Sequence, residues 1–441
     1  MVSRRSLLTA IGVTLTSAAA TTGVGRSSST NTLIWDTVFS DHDSGAFDSI
    51  GLVDETPLFV GRSERGDTTD GFAAKTDSSG NVDWDVRVQD FPFESVLARD
   101  TGAFLGGGTN VYSVSDGEVE SVHNVTPIRA HGLARFPDDS FAVANTWDPP
   151  HAYQTQVGRY DPDSREVTWT KIYPDDLQQA FYFRHVRERD GGVGIWYTNP
   201  DDLRYYHVDV NGEITDEWSV PIRGDNLNIA IREDSTVALA RDTEDGTLMV
   251  SQINDGVRER SLALSIPDDV PNDIRIADIA TNGTEIIATG TTQPQDRDKT
   301  KIVQFELQLV KEEAAATQFE VGRDVSLNDS HVTADGHVLY AGTAAVDGDT
   351  GVPWCGATNT ARQTPDTTFT LQDISSGTPS ETRNTETRTE TIRETTETHH
   401  TEATNENRTG SGIETSEVGV ISAVGATAGA AALLKYVTGS D

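Results

Sequence analysis

The sequence predicts an all-β chain: a seven-bladed β-propeller closed by its own N-terminal strand, then a solvated stalk and a C-terminal transmembrane helix. Three observations carry this. Between residues 32 and 360, short β-branched runs are broken by Asp, Gly, Asn and Pro every few residues, and no long stretch keeps helical periodicity. One apolar run recurs seven times at a mean spacing of about 47 residues, the size of a four-stranded blade. The last copy stops at a third strand, and the earliest strand has the character of the missing fourth.

Residues 1–30 read as an address. Ser3-Arg4-Arg5-Ser6-Leu7-Leu8 precedes a short apolar core from Ala10 through Leu15, and Ala18-Ala19-Ala20 suits a signal peptidase that needs small side chains. The paired arginines resemble a twin-arginine export signal. A general secretory signal is the alternative and changes the route, not the destination.

Residues 31–360 hold the repeat. Leu58-Phe-Val-Gly61, Phe104-Leu-Gly-Gly107, Phe141-Ala-Val-Ala144, Val193-Gly-Ile-Trp196, Val237-Ala-Leu-Ala240, Ile286-Ile-Ala-Thr289 and Val338-Leu-Tyr-Ala341 read as buried strands, most of them preceded by a polar turn. A second element follows several copies: Lys75 to Trp84, Arg159 to Trp169 and His207 to Trp218 each read strand, Asp/Gly turn, strand with tryptophan. These suit the third and fourth strands of a blade, whose tight turn needs residues that tolerate positive φ. Leu33-Ile-Trp-Asp-Thr-Val38 matches the fourth-strand character of Asn81-Val-Asp-Trp-Asp-Val86 and is expected beside Val352-Pro-Trp-Cys-Gly-Ala357. Six or eight blades stay open, because copies two and five lack the tryptophan.

The stretch Asp70-Gly-Phe-Ala-Ala-Lys-Thr-Asp-Ser-Ser-Gly-Asn-Val-Asp-Trp84, with Gly45-Ala-Phe-Asp48 ahead of it, resembles the blades of secreted propellers of the quinoprotein-like (PQQ-like repeat) superfamily and of archaeal surface propellers. The likeness is strongest in the first blade. It implies the fold and a place outside the cell. Quinone-dependent relatives often use adjacent cysteines and a calcium carboxylate cage, and with Cys355 alone that active site is not recognisable here.

Residues 361–416 change composition: aromatics almost vanish, and Thr, Glu, Arg, Ser and Asn dominate. So little apolar surface cannot offset an ordering entropy of roughly 1–2 kcal/mol per residue, so the segment reads as an extended stalk. Residues 417–441 read as the anchor. Val418 to Leu434 carries no charge and at ~1.5 Å per residue would reach about 25 Å, just short of a hydrocarbon core. Lys435 then places the C-terminus inside and the rest outside. Together with the stalk, this end resembles the tripartite sorting tails of archaeal surface proteins, without the Pro-Gly-Phe signature. A retained anchor, a processed sorting signal and an ordinary helix all remain open.

Charge narrows the function classes. Seventy Asp and Glu against 34 Lys and Arg give a net charge of −36, and only six of the bases are lysine. Such a surface repels phosphate, so nucleic acid is excluded as a partner. It self-repels at low salt and is relieved when molar salt shortens the Debye length to roughly 3 Å, which points to a halophilic source. A disulfide framework is excluded because Cys355 has no intrachain partner.

Catalytic residues do not stand out. The histidines show no metal-ligand spacing, and neither a Gly-x-Ser-x-Gly elbow nor a phosphate loop is present. No cofactor is predicted. Calcium is the one ion that Asp41-x-Asp43-x-Gly45, Asp161-x-Asp163-x-x-Glu166 or Asp347-x-Asp349-x-Gly351 could take, and solvated turns are the plainer reading. In a propeller, second-to-third and blade-to-blade connections emerge on one face. That face would gather Trp147, Asp148, His151, Tyr153, Phe181, Tyr182, His185, Tyr197, Asp201 and Tyr205, rings beside polar groups as sugar or peptide recognition uses. The plainer alternative is that these rings seal adjacent blades. Asn124, Asn282, Asn328 and Asn407 head N-glycosylation sequons. The expectation is a monomeric, membrane-anchored surface protein that binds carbohydrate or protein. A propeller oxidoreductase or glycan hydrolase is the rival.

Overall fold

Seven four-stranded antiparallel sheets follow one another along the chain. The computed structural model describes residues 31–374, except residue 100 and the connections 148–153, 174–181, 199–201, 223–224, 242–246, 265–273, 293–299, 347–349 and 360–364. The expected signal at 1–30, most of the stalk and the anchor lie outside the described residues. Among the described residues no helix is long and apolar enough to cross a membrane.

Blade 1 comprises Ser44–Val53, Thr56–Arg65, Thr68–Thr76 and Val82–Val88, and blade 2 Ser95–Arg99, Gly102–Gly107, Asn110–Ser115 and Glu118–Asn124. Blade 3 holds Gly132–Arg135, Phe141–Trp147, Gln154–Asp161 and Glu166–Tyr173; blade 4 holds Tyr182–Arg189, Gly192–Thr198, Asp202–Asp209 and Ile214–Pro221. Asp225–Ile231, Thr236–Arg241, Leu248–Asn254 and Val257–Leu264 form blade 5, and Ile274–Thr281, Ile286–Thr292, Lys301–Gln308 and Glu313–Glu320 form blade 6. Every one of the seven recurring apolar runs lies in a second strand.

Blade 7 draws on both ends of the chain. Val325–Val332, His337–Val346 and Thr350–Asn359 supply three strands, and Trp35–Val38 supplies the fourth. Trp35 pairs with Ala357 and Val38 with Trp354, antiparallel, as the sequence predicts. The ring is closed by packing as well as pairing. Seven buried apolar clusters each combine residues of two neighbouring blades; the one joining blade 7 to blade 1 holds Phe39, Phe47, Phe59, Phe72, Leu339 and Cys355. Strands buried on both faces explain why second strands read as continuous apolar runs rather than alternating ones.

The repeated tryptophan has a physical role. In blades 7, 1, 3 and 4 the fourth-strand ring (Trp35, Trp84, Trp169, Trp218) lies on the glycine of the next blade's third-to-fourth turn (Gly80, Gly117, Gly212, Gly256). Those glycines have φ near +80°. A Cβ on Gly80 would stand 2.5 Å from Trp35 Cε3, so the turn needs glycine twice, for its backbone and for the ring above it. Trp169 adds a hydrogen bond from Nε1 to Val210 O at 2.9 Å. Blade 5 lacks the tryptophan, and Arg260 takes its place by donating from Nη1 to Leu309 O of blade 6 at 2.9 Å.

One sequence boundary moves. Residues expected in the stalk form two further strands, Thr367–Thr370 on blade 6 and Gln372–Asp373 on blade 5. Phe369 and Leu371 are the reason: in a Thr/Glu-rich context they offer apolar area to bury, and Leu371 is 1% exposed.

Trp35→Ala removes the ring that ties blade 7 to blade 1 and should cost about 2 kcal/mol or more in equilibrium denaturation. Gly80→Ala, which touches the same contact from the other side, should cost a comparable amount. Unchanged midpoints for both would remove the tryptophan–turn contact as the closing interaction.

Candidate functional site

First strands face one another around the ring axis: those of blades 7, 1, 2, 3 and 4 pack in succession, as do those of blades 5, 6 and 7. In blades 1, 4, 5, 6 and 7 the first strand breaks register once near its start. Such bulges re-aim side chains. Polar residues at or beside them include Asp48, Arg184, His185, Asn228, Asp278, Asn328 and Asp329.

Their chemistry is consumed between blades. Asp278 Oδ2 accepts from Ser330 N at 3.1 Å and from Ser330 Oγ at 2.8 Å, so blade 6 holds blade 7. Asp329 Oδ2 accepts from Ile50 N at 2.8 Å, so blade 7 holds blade 1 in the same way. Asn328 Nδ2 donates to Phe47 O at 3.0 Å and to Asp48 Oδ1 at 3.1 Å, while Arg62 Nη1 pairs with Asp48 Oδ2 at 2.9 Å. Burial raises the pKa of Asp278 and of Asp329, the latter also through the neighbouring Asp278 charge. Asp48 is pushed up to about 6 by burial, with Glu94 adding to the rise and Arg62 opposing it. Glu94 is itself paired with His131 Nε2 at 2.7 Å. A close carboxylate pair could act as acid and base, but here its oxygens are spent on backbone N–H groups of the next blade. Among the described residues no three His, Cys, Asp or Glu side chains group as a metal site. In the proposed calcium loops, Asp43 accepts from Gly66 N and Asp161 from Asp163 N, while Asp347 and Asp349 lie outside the described residues.

The expected aromatic loop face is only partly described. Asp148, His151, Tyr153, Phe181 and Asp201 lie outside the described residues, and Trp147 is described in its backbone alone, opposite Gln154. Tyr182 is half-buried. Tyr197 is fully buried in the apolar cluster between blades 3 and 4, with Tyr206 at 5.2 Å. Tyr205 belongs to the cluster between blades 4 and 5. His185 is exposed on its first strand, and crowding by the surrounding chain, then the Arg187 charge, lowers its pKa. Of the sequons, Asn124 is exposed, the Asn282 amide donates to Glu285 and to Thr333 O, the Asn328 amide is engaged as above, and Asn407 lies outside the described residues.

A different surface offers space. Between blades 4 and 5, on the face of the first-to-second and third-to-fourth hairpins, lies an open cleft of about 1050 Å³. It exists because side chains span this junction. Arg187 Nη1 donates to Ile231 O at 2.6 Å, and Arg189 donates to Glu233 O at 2.6 Å and Arg232 O at 3.1 Å. Aromatic rings line it in series: Trp196 to Tyr205 at 4.8 Å, then Tyr205 stacked on half-buried Trp218 at 5.2 Å and 22°. Arg189 sits 5.5 Å from the Trp196 ring, and Trp196 Nε1 is held by Thr236 Oγ1 at 3.1 Å. His207 also lines the cleft, its Nε2 without a partner. Exposed Glu188, Asp190, Asp216, Glu233, Asp234 and Asp255 rim it. Of this set sequence reasoning placed only Tyr205 on a binding face. The signal it passed over is Arg184-His-Val-Arg187-Glu-Arg189, three bases in six residues of a strongly acidic chain.

No protein-family model matches the chain, and no curated protein matches it. Among solved structures it is similar to the Pan2 WD40 domain of Neurospora crassa (12% identity, TM-score 0.48, 74% of this chain and 95% of that one). It is also similar to the polysaccharide lyase Uly1 (9%, 0.48, 75% and 100%) and to the β-propeller domain of the Trilobed protease from Pyrococcus furiosus (9%, 0.45, 72% and 96%). Likeness at this level extends to the propeller scaffold alone.

The carboxylate seam sets a pH dependence. An acid whose pKa is raised by folding keeps its proton longer in the native state, so its contribution is fullest below pH ~4 and is lost as pH rises through the folded pKa. Stability should therefore fall between pH 4 and 7 from these groups. Asp329→Asn, which keeps an acceptor for Ile50 N, should flatten that fall and raise stability at pH 7.5 by about 1 kcal/mol. A parallel pH profile in wild type and variant would contradict it.

Proposed function

We propose that this propeller is an exported, membrane-tethered surface protein that binds carbohydrate, without turnover, in the cleft between blades 4 and 5. The single observation that carries the binding site is the open cleft of about 1050 Å³ beside half-buried Trp218, rimmed by six exposed carboxylates and large enough for several sugar rings. Half-buried Trp218 offers apolar area, and the exposed carboxylates offer the hydroxyl partners that sugars need. The rim carries six carboxylates, and both nearby guanidiniums are tied to backbone carbonyls. Such a field disfavours uronates and sulfated glycans and favours neutral or amino sugars.

The export signal, stalk and anchor support the location, and the first-blade repeat supports kinship with the quinoprotein-like propellers. The reading as a non-enzyme rests on the ring's carboxylate pair being engaged in blade-to-blade hydrogen bonds.

Glycan-array screening of the chain in molar salt, followed by calorimetric titration, tests the site. Neutral oligosaccharides should bind and their uronate counterparts should bind at least tenfold more weakly. Trp218→Ala should weaken binding about tenfold or more. Because Trp218 also packs on Gly256, the exposed Asp216→Asn is the companion variant, expected to lose affinity without losing stability. Binding untouched by both variants would move the site elsewhere, and hydrolysis or oxidation of a bound glycan would replace the non-enzymatic reading.

A further inference from the structure

The chain does not leave the propeller where blade 7 ends. Asp366 N donates to Ala316 O at 2.9 Å, and Asp366 Oδ2 accepts from Gln318 N at 2.7 Å, which starts a new strand against the outer edge of blade 6. Thr367–Thr370 then runs antiparallel to Glu313–Ala316. Phe369 meets Phe305 edge-on at 6.4 Å. Leu371 donates from its backbone to Glu312 O at 2.7 Å and buries its side chain in the cluster shared by blades 5 and 6. Beyond it, Gln372 and Asp373 pair with Ala263 and Leu262 on the outer edge of blade 5, and Ile374 N donates to Ser261 O at 2.8 Å. The N-terminal segment Asn31–Thr32 lies parallel to Phe319–Glu320 of the same blade 6 strand, just past the stretch that Thr367–Thr370 occupies.

We propose that Asp366–Ile374 is a strap that carries tension, the point where the tether is fastened to the ring. This rests on the tethered reading above for its biological purpose, not for its structure. Outer strands present unpaired N–H and C=O groups, and an extended segment can add to such an edge. Here one segment adds to two edges in succession and keys between them with Leu371. Tension arriving from residues 375–441 is then carried in shear by hydrogen bonds on two blades. Without the strap it would fall on Thr350–Asn359, the strand that holds the closing Trp35–Val38, and would peel the ring open at its only non-covalent joint.

The strap also sets direction. Gln372–Asp373 is antiparallel to Val257–Leu264, so at Ile374 the chain is running toward the Asp255–Gly256 turn, one wall of the cleft.

Hydrogen exchange and force measurements on the full chain test the strap. Amides of 366–374 should exchange about a hundredfold more slowly than those of 385–400. Leu371→Asp should abolish most of that difference while exchange at Trp35–Val38 is unchanged. Pulled from its two ends, the wild type should show a first step, no longer than the ~30 Å contour of the nine residues, before the blades open. Asp366→Asn, a milder change, should lower the force of that step. Fast exchange over 366–374 in the wild type, or a first rupture that frees Trp35–Val38 instead, would overturn the strap. Either result leaves glycan binding to be judged by its own titration.

Discussion

The contact between one blade's fourth-strand tryptophan and the next blade's turn glycine is the constraint on which the ring depends. It fixes neighbouring sheets at one separation and one angle, because the ring admits no Cβ beneath it and the turn admits few residues other than glycine. At the closing seam it does more. Trp35 is brought by the N-terminal strand to Gly80 of blade 1, so a residue from the start of the chain clamps the last blade to the first.

Polar groups finish the same task near the ring axis, and they tie it to pH. Asp278 and Asp329 stand at equivalent bulges in successive blades, and each accepts a backbone N–H from the next blade. Placing two carboxylates so close costs ionisation free energy at neutral pH, and the hydrogen bonds they accept from the next blade offset that cost. Charge self-repulsion over the whole surface acts in the same direction and is eased by salt.

The cleft lies at a junction that keeps the tryptophan–glycine contact. At the junction of blades 4 and 5 the arginines of Tyr182–Arg189 reach across to backbone carbonyls, and the space left beside Trp196, Tyr205 and Trp218 is the cleft. Trp218 serves twice, closing on Gly256 with one face while stacked on Tyr205. Packed on both faces, the Trp218 ring is held rigidly.

The number of blades, the second-strand core and the closing strand Trp35–Val38 were legible in the amino-acid sequence because they are periodic: buried-strand runs, turn residues and the tryptophan hairpin repeat locally and need no knowledge of neighbours. The candidate site was not. Tyr197 and Tyr205, read together as loop-face rings, are buried in two different junctions. Trp218, read as a repeat element, lines the cleft, and the strap was read as stalk because two apolar residues do not alter a composition. Which side chains of adjacent blades meet depends on bulges that shift register by one residue and on edges that stay open until a distant segment fills them. Those are non-local quantities, so the chain's local pattern determined the ring, and only its tertiary packing decided where the ring opens and where it is fastened.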